Sequence, residues 1–139
     1  MPPAHPLVVH LAVVLLPLVA LGAIVVVASS KARERYGSLL AIGSVVATAA
    51  TMGARFSGES LAGTTTATGT LGAHMFWGLI APWPALGLML TLIGYLLAAR
   101  GSNRLLQRVL GAVTVVLALA SLAVVVVTGH LGASAVWVG

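Results

Sequence analysis

Imidazole is the most versatile chemical group in this sequence, and it occurs four times, at His5, His10, His74 and His130. A neutral imidazole ligates haem iron, zinc or copper through one ring nitrogen, and two or three imidazoles on facing helices make a cofactor site. The candidate companions are few. Arg55 is a cation suited to haem propionates, Glu59 is an oxygen ligand, and Met52 and Met75 are thioethers that favour copper(I) where they face inward. His5 and His10 bracket "HPLVVH", and their five-residue separation puts them about 140° apart around a helix, on different faces. His10 lies roughly 6 Å further along the helix axis than Pro6, which places it below the headgroup level of a membrane.

The elements that carry these histidines follow from composition. Of 139 residues, 60% are hydrophobic and 6% charged, and the mean hydropathy is +1.13. So few charges cannot cover a water-soluble domain. A bilayer core about 30 Å thick needs about 20 apolar helical residues. Four stretches meet that length, running from Pro6 to Ala28, Ser38 to Ala54, His74 to Ala99 and Leu105 to Thr128. The first has no basic segment before it and positive charge after it, so it reads as a retained span and not as a signal peptide.

Charge placement gives the orientation. Lys31, Arg33 and Arg35 lie between spans one and two, and Arg100, Arg104 and Arg108 between spans three and four, so six of the seven basic residues share one side. The positive-inside rule makes that side cytoplasmic and puts both termini, and a loop from Arg55 to Ala73, outside. All four histidines then fall at outer ends of spans. Tyr36 and Tyr95 lie near the inner ends, and Phe56, Phe76, Trp77 and Trp137 near the outer ones, as an interfacial aromatic belt requires. A net charge of +5 and a pI near 11.4 do not indicate a nucleic-acid partner, because the charges cluster beside apolar spans and form no binding face.

Span two, "SLLAIGSVVATAATMGA", repeats Gly43, Ala47 and Thr51 every four residues, with Ser44 and Thr48 alongside. This small-xxx-small pattern lets backbones approach closely in lipid and marks span two as the buried one. Span three is interrupted by "PWP" at Pro82 to Pro84, where a missing N–H and ring clash bend a helix. On its face below His74, Gly78 and Ala81 leave room for a flat ligand or a neighbouring helix. "TTTATGT", from Thr64 to Thr70, reads as an outer loop whose last threonine caps span three. Arg55 and Glu59, spaced i, i+4, suit each other as an ion pair as well as they suit a ligand.

Several chemistries lack their residues. Without cysteine there are no disulfides, no thiolate-held iron–sulfur clusters and no covalent c-type haem. No phosphate-binding glycine loop, nucleophile elbow or HExxH occurs, and Glu34 and Glu59 are the two acids. Four spans without intramembrane charge or an inverted repeat offer little substrate path for transport.

The chain resembles the DUF2231 family of predicted bacterial four-helix membrane proteins, on "HPLVVHLAVVLLPL", on "SGESLAG" after span two, on the histidine that opens span three and on "TGHLGASAVW" after span four. The resemblance covers the whole chain and implies a link with redox chemistry, since such modules are sometimes fused to Rieske-type iron–sulfur domains. The family's further histidine before a final glycine is replaced by Val138 in "VWVG", so that segment lacks a ligand residue.

The reading is an all-α, integral membrane four-helix bundle forming one domain, in the cytoplasmic membrane of a bacterium. Its leading function is b-type haem binding for electron transfer, with ligands from His10, His74 and His130 and Arg55 on the propionates. One alternative is a zinc or copper ion held among His5, His10, His74, His130 and Glu59. The other is a cofactor-free accessory subunit that anchors a larger complex. The partners expected are the lipid bilayer, a redox protein or a second copy of the chain.

Overall fold

The structure is a computed structural model and describes residues 4–62 and 68–137. They form five helices: α1 (Ala4–Ala28), α2 (Ser30–Ala62), α3 (Gly69–Ile80), α4 (Pro82–Ala98) and α5 (Arg104–Trp137). α1, α2, α3 with α4, and α5 make four segments long and apolar enough to cross a membrane. No strand occurs among the described residues. In lipid this is the expected solution, because a helix satisfies its own backbone groups and an isolated strand does not.

Two short turns close one end of the bundle. Ser29 caps α2 by accepting from the Ala32 N–H at 3.2 Å, and Asn103 caps α5 by accepting from the Leu106 N–H at 3.0 Å. Each cap satisfies an N–H that the first turn of a helix leaves without a partner. Lys31, Arg33, Arg35, Arg100, Arg104 and Arg108 all lie at this end, called here the basic end.

α1 packs against α2 and α5, and α4 packs between α2 and α5, giving an antiparallel ring of four spans. Ala20, Ala23, Ala47, Leu88, Leu92 and Ala118 are fully buried at its centre. Hydroxyls on the buried stripes bond to carbonyls one turn back, as Thr51 does to Ala47 at 2.6 Å and Thr114 to Leu110 at 2.7 Å. Thr48 also reaches across to the Ala85 carbonyl of α4 at 3.2 Å, an interhelical bond of the kind that holds membrane helices together.

Three sequence expectations change. Span two is not the buried helix: its apolar window is 33% buried, the same share as α1. In a ring of four, each helix buries one stripe, and lipid solvates the rest at no hydrophobic cost. The segment from Arg55 to Ala73 is mostly not a loop, since α2 runs unbroken to Ala62 and α3 begins at Gly69; residues 63–67 lie outside the described part. Thr70 is not the cap of α3. Thr68 holds that position without a side-chain bond, and Gly69 turns the chain into the helix with φ +62°, a conformation that favours glycine.

The break in span three falls where the prolines place it. Ala81 closes α3 through its N–H to the Trp77 carbonyl at 3.0 Å, and α4 starts afresh at Pro82. The two halves pack differently: α4 lies against α2 and α5, whereas α3 leans on α5, approaches α2 little and brings no Cα within 8 Å of α1.

Candidate functional site

That lean opens the bundle at the end opposite the basic end. A cavity of about 440 Å³ lies between α1, α2, α3 and α5, with Ala81 of the helix break, Leu16, Thr51, Met75 and Val125 among its lining. Its size is within the range of small-molecule and cofactor sites, about 300–1,000 Å³, and its walls are mainly apolar.

Two histidines line it, one from α1 and one from α3. His5, in the first turn of α1, is half-buried, with Nδ1 2.7 Å from the Ser57 hydroxyl of α2. The Ser57 hydroxyl donates its single proton to the Gly53 carbonyl at 2.9 Å. With its proton on that carbonyl the hydroxyl accepts from an Nδ1–H, and this tautomer is the one that keeps the Nε2 lone pair of His5 free. The ring rests where a larger residue than Gly58 would intrude, with Cε1 3.3 Å from the position a Cβ there would take.

His74, on α3, is fixed in the same manner from the other side. Its Nδ1 donates to the Thr128 carbonyl of α5 at 2.8 Å. A carbonyl only accepts, so Nδ1 of His74 carries a proton, and in the neutral ring the lone pair is then on Nε2. The ring lies over Gly132, where a Cβ would come within 3.0 Å of Cε1 and 3.1 Å of Nδ1. An imidazole whose Nδ1–H is bonded to a carbonyl or hydroxyl is the form that metal and haem ligands take.

Arg55 and Glu59 stand at the rim. Arg55 donates from Nε to Glu59 at 3.1 Å, with the two side chains 25% and 44% exposed. The Arg55 guanidinium carbon also lies 5.7 Å from the ring centroid of Trp83, just past the helix break. Exposed i, i+4 pairs contribute about 0.5 kcal/mol or less, so the pairing leaves Arg55 able to turn toward an anion.

The other two candidate histidines face away. His10 is exposed, its Nδ1 donating 2.6 Å back to the Pro6 carbonyl of its own helix. His130 is exposed on α5 and lines no part of the cavity. Met75 lines the cavity and Met52 does not. Val138 lies outside the described residues. No group of three or more potential metal ligands occurs among the described residues. Ser57, Gly58, Thr128 and Gly132, which hold the two rings, were not apparent as site residues from the sequence. The signal was present in "SGES" and in "TGHLG", where a small residue stands beside or four places after each hydrogen-bonding partner.

A family model described as "Predicted membrane protein (DUF2231)" matches residues 1–139. No curated protein and no solved structure matches the chain.

Proposed function

The chain belongs to the DUF2231 family of predicted membrane proteins, and from that premise we propose that it is a membrane-embedded electron-transfer module that binds b-type haem. One observation carries the reading: His5 and His74 stand on helices whose Cα atoms come no closer than 8 Å, line one cavity, and each hold Nδ1 against an oxygen of a neighbouring helix, which leaves Nε2 as the ring nitrogen available to a ligand bond. The residues present fit the group. The two imidazoles would supply nitrogen ligands to the iron, the apolar walls would suit a macrocycle, and Arg55 at the rim would suit a propionate.

When bound, such a haem supplies reversible one-electron exchange. The protein's own part is to hold the site. Ser57 and the Thr128 carbonyl hold the two rings at Nδ1, Gly58 and Gly132 admit them, and Leu16 and Val125 supply apolar wall. By the positive-inside rule the histidine end faces outward from a bacterial cytoplasmic membrane, where a redox protein has access to it.

The test is a visible spectrum, oxidised and dithionite-reduced, of detergent-purified protein expressed with ample haem. The expected result is a Soret band and sharp reduced α and β bands that His5→Ala or His74→Ala removes, and that His10→Ala and His130→Ala retain. A featureless spectrum after addition of hemin overturns the proposal. Met75 in the cavity wall favours copper(I) held with the two imidazoles as the second reading, and metal analysis of the same sample detects it.

A further inference from the structure

The opposite end of the bundle holds a second cavity of about 440 Å³ that shares no residue with the first. Arg33 of α2 and Arg104 and Arg108 of α5 all line it, together with Gln107 and Tyr95. Its lining contains no acid. Glu34, the acid at this end, lines a neighbouring cavity with Arg100 on the other side of Arg33. Among the described residues none of the three arginines forms an ion pair.

One of these guanidinium groups is held in place. Arg33 donates from Nη1 to the Tyr95 hydroxyl at 2.6 Å, and its central carbon lies 5.6 Å from the Tyr95 ring centroid. Tyr95 is itself buried and directs its hydroxyl proton toward the Val26 and Val27 carbonyls at 3.5 and 3.4 Å, where α1 ends. Its ring sits against Gly111, where a Cβ would meet Cε2 at 3.2 Å. The anchor fixes one N–H of Arg33 and leaves the rest of its fork unengaged beside Arg104 and Arg108.

Three clustered guanidinium groups lacking a counter-charge call for a polyvalent oxyanion, and arginine forks match phosphate geometry. The surroundings distinguish a lipid phosphate from a free one. On α5 the residues lining the cavity, Arg104, Gln107, Arg108, Gly111 and Ala112, form a single helical stripe. Toward mid-membrane that stripe continues in Val116 and Leu119, 63% and 55% exposed and wholly apolar. A molecule with its phosphate among the arginines would therefore have its hydrocarbon against valine and leucine.

We propose that this cavity is a binding site for the headgroup of an anionic phospholipid, with Arg33, Arg104 and Arg108 on the phosphate and an acyl chain along Ala112, Val116 and Leu119 of α5. Basic pockets between membrane helices at the cytoplasmic side are suited to this class of ligand.

The test is a thermal-unfolding titration of delipidated protein in detergent with micelles containing phosphatidylglycerol. The expected result is a saturable rise in melting temperature that phosphatidylcholine and inorganic phosphate do not produce. Arg104→Gln with Arg108→Gln is expected to weaken the apparent affinity about fivefold per charge removed. Lys31→Gln with Arg100→Gln, the same loss of two charges at the same end but outside the cavity, is expected to leave it unaltered. Equal protection by phosphatidylcholine overturns the proposal, equal protection by inorganic phosphate overturns the assignment to a lipid, and a double variant that titrates like the unaltered protein overturns the site. Native mass spectrometry of the unaltered protein gives a reading that needs no variant: retention of phosphatidylglycerol from an equimolar mixture with phosphatidylcholine supports the site, and no preference overturns it.

Discussion

At the basic end, capped turns at Ser29 and Asn103 start α2 and α5 with their first-turn N–H groups satisfied, and buried Tyr95 ties α1, α2 and α4 together through Arg33 and the Val26 and Val27 carbonyls. At the histidine end, Gly69 starts α3 without a side-chain cap, the prolines have cut it from α4, and it leans on α5 and away from α1. The first end gathers permanent positive charge, and the second gathers imidazoles, two of them on a mainly apolar cavity. The contrast shows where a membrane bundle can keep a cavity. Lipid exerts no hydrophobic pressure that would drive helices together, so they stay close where small residues and hydrogen bonds hold them and part where those stop. The break at Ala81 ends the close packing of span three, and the cofactor-sized cavity begins there.

Variants at the histidine end test that contrast most strongly. His74→Ala removes one imidazole and is expected to abolish the Soret band on haem titration, an effect of about a hundredfold or more in affinity. Ser57→Ala deletes the hydroxyl that orients His5 and is expected to weaken haem binding about tenfold, while Thr128→Ala leaves binding intact, because His74 donates to a main-chain carbonyl that survives the change. Equal losses for the two variants in the same titration would break the account of how the rings are held. Gly132→Ala places a Cβ against the His74 ring and is expected to cost up to about tenfold, whereas Gly129→Ala, outside the cavity lining and with no atom within 4 Å of its new Cβ, changes nothing.

At the basic end Tyr95→Phe removes the acceptor of a charged donor. It is expected to lower stability in detergent by about 1.5–3 kcal/mol in a chemical-unfolding titration, with haem affinity unchanged. Arg55→Gln gives the smallest effect. Loss of an exposed pair with Glu59 costs under about 1 kcal/mol, so unfolding moves little, while a role on a propionate would appear as weaker haem binding.

Much of this is legible in the chain. The apolar runs, the arginine clusters, the proline break and the Arg55–Glu59 spacing each depend on neighbours a few residues away. The histidine partnership does not. His5 and His10 point in different directions from one helix, and only one of them can face the bundle. α1 is apolar on every side, so no polar stripe reveals which face turns inward. Its buried stripe proves to be Ala12, Leu16, Val19, Ala20, Ala23 and Val26, and His5 lies on that stripe seven residues before Ala12 while His10 does not.

The sequence by itself therefore determined that this is a four-span membrane protein, that its histidines lie at the end opposite six of its seven basic residues, and that span three breaks at Pro82. Hydropathy, charge and proline act locally and need no partner. Tertiary structure alone decided that α3 parts from α1, that His5 and His74 share a cavity while His10 and His130 face outward, and that Arg33 joins Arg104 and Arg108. These pairings join residues more than fifty positions apart, and they are set by how each helix is rotated in the bundle, which a uniformly apolar surface leaves unmarked.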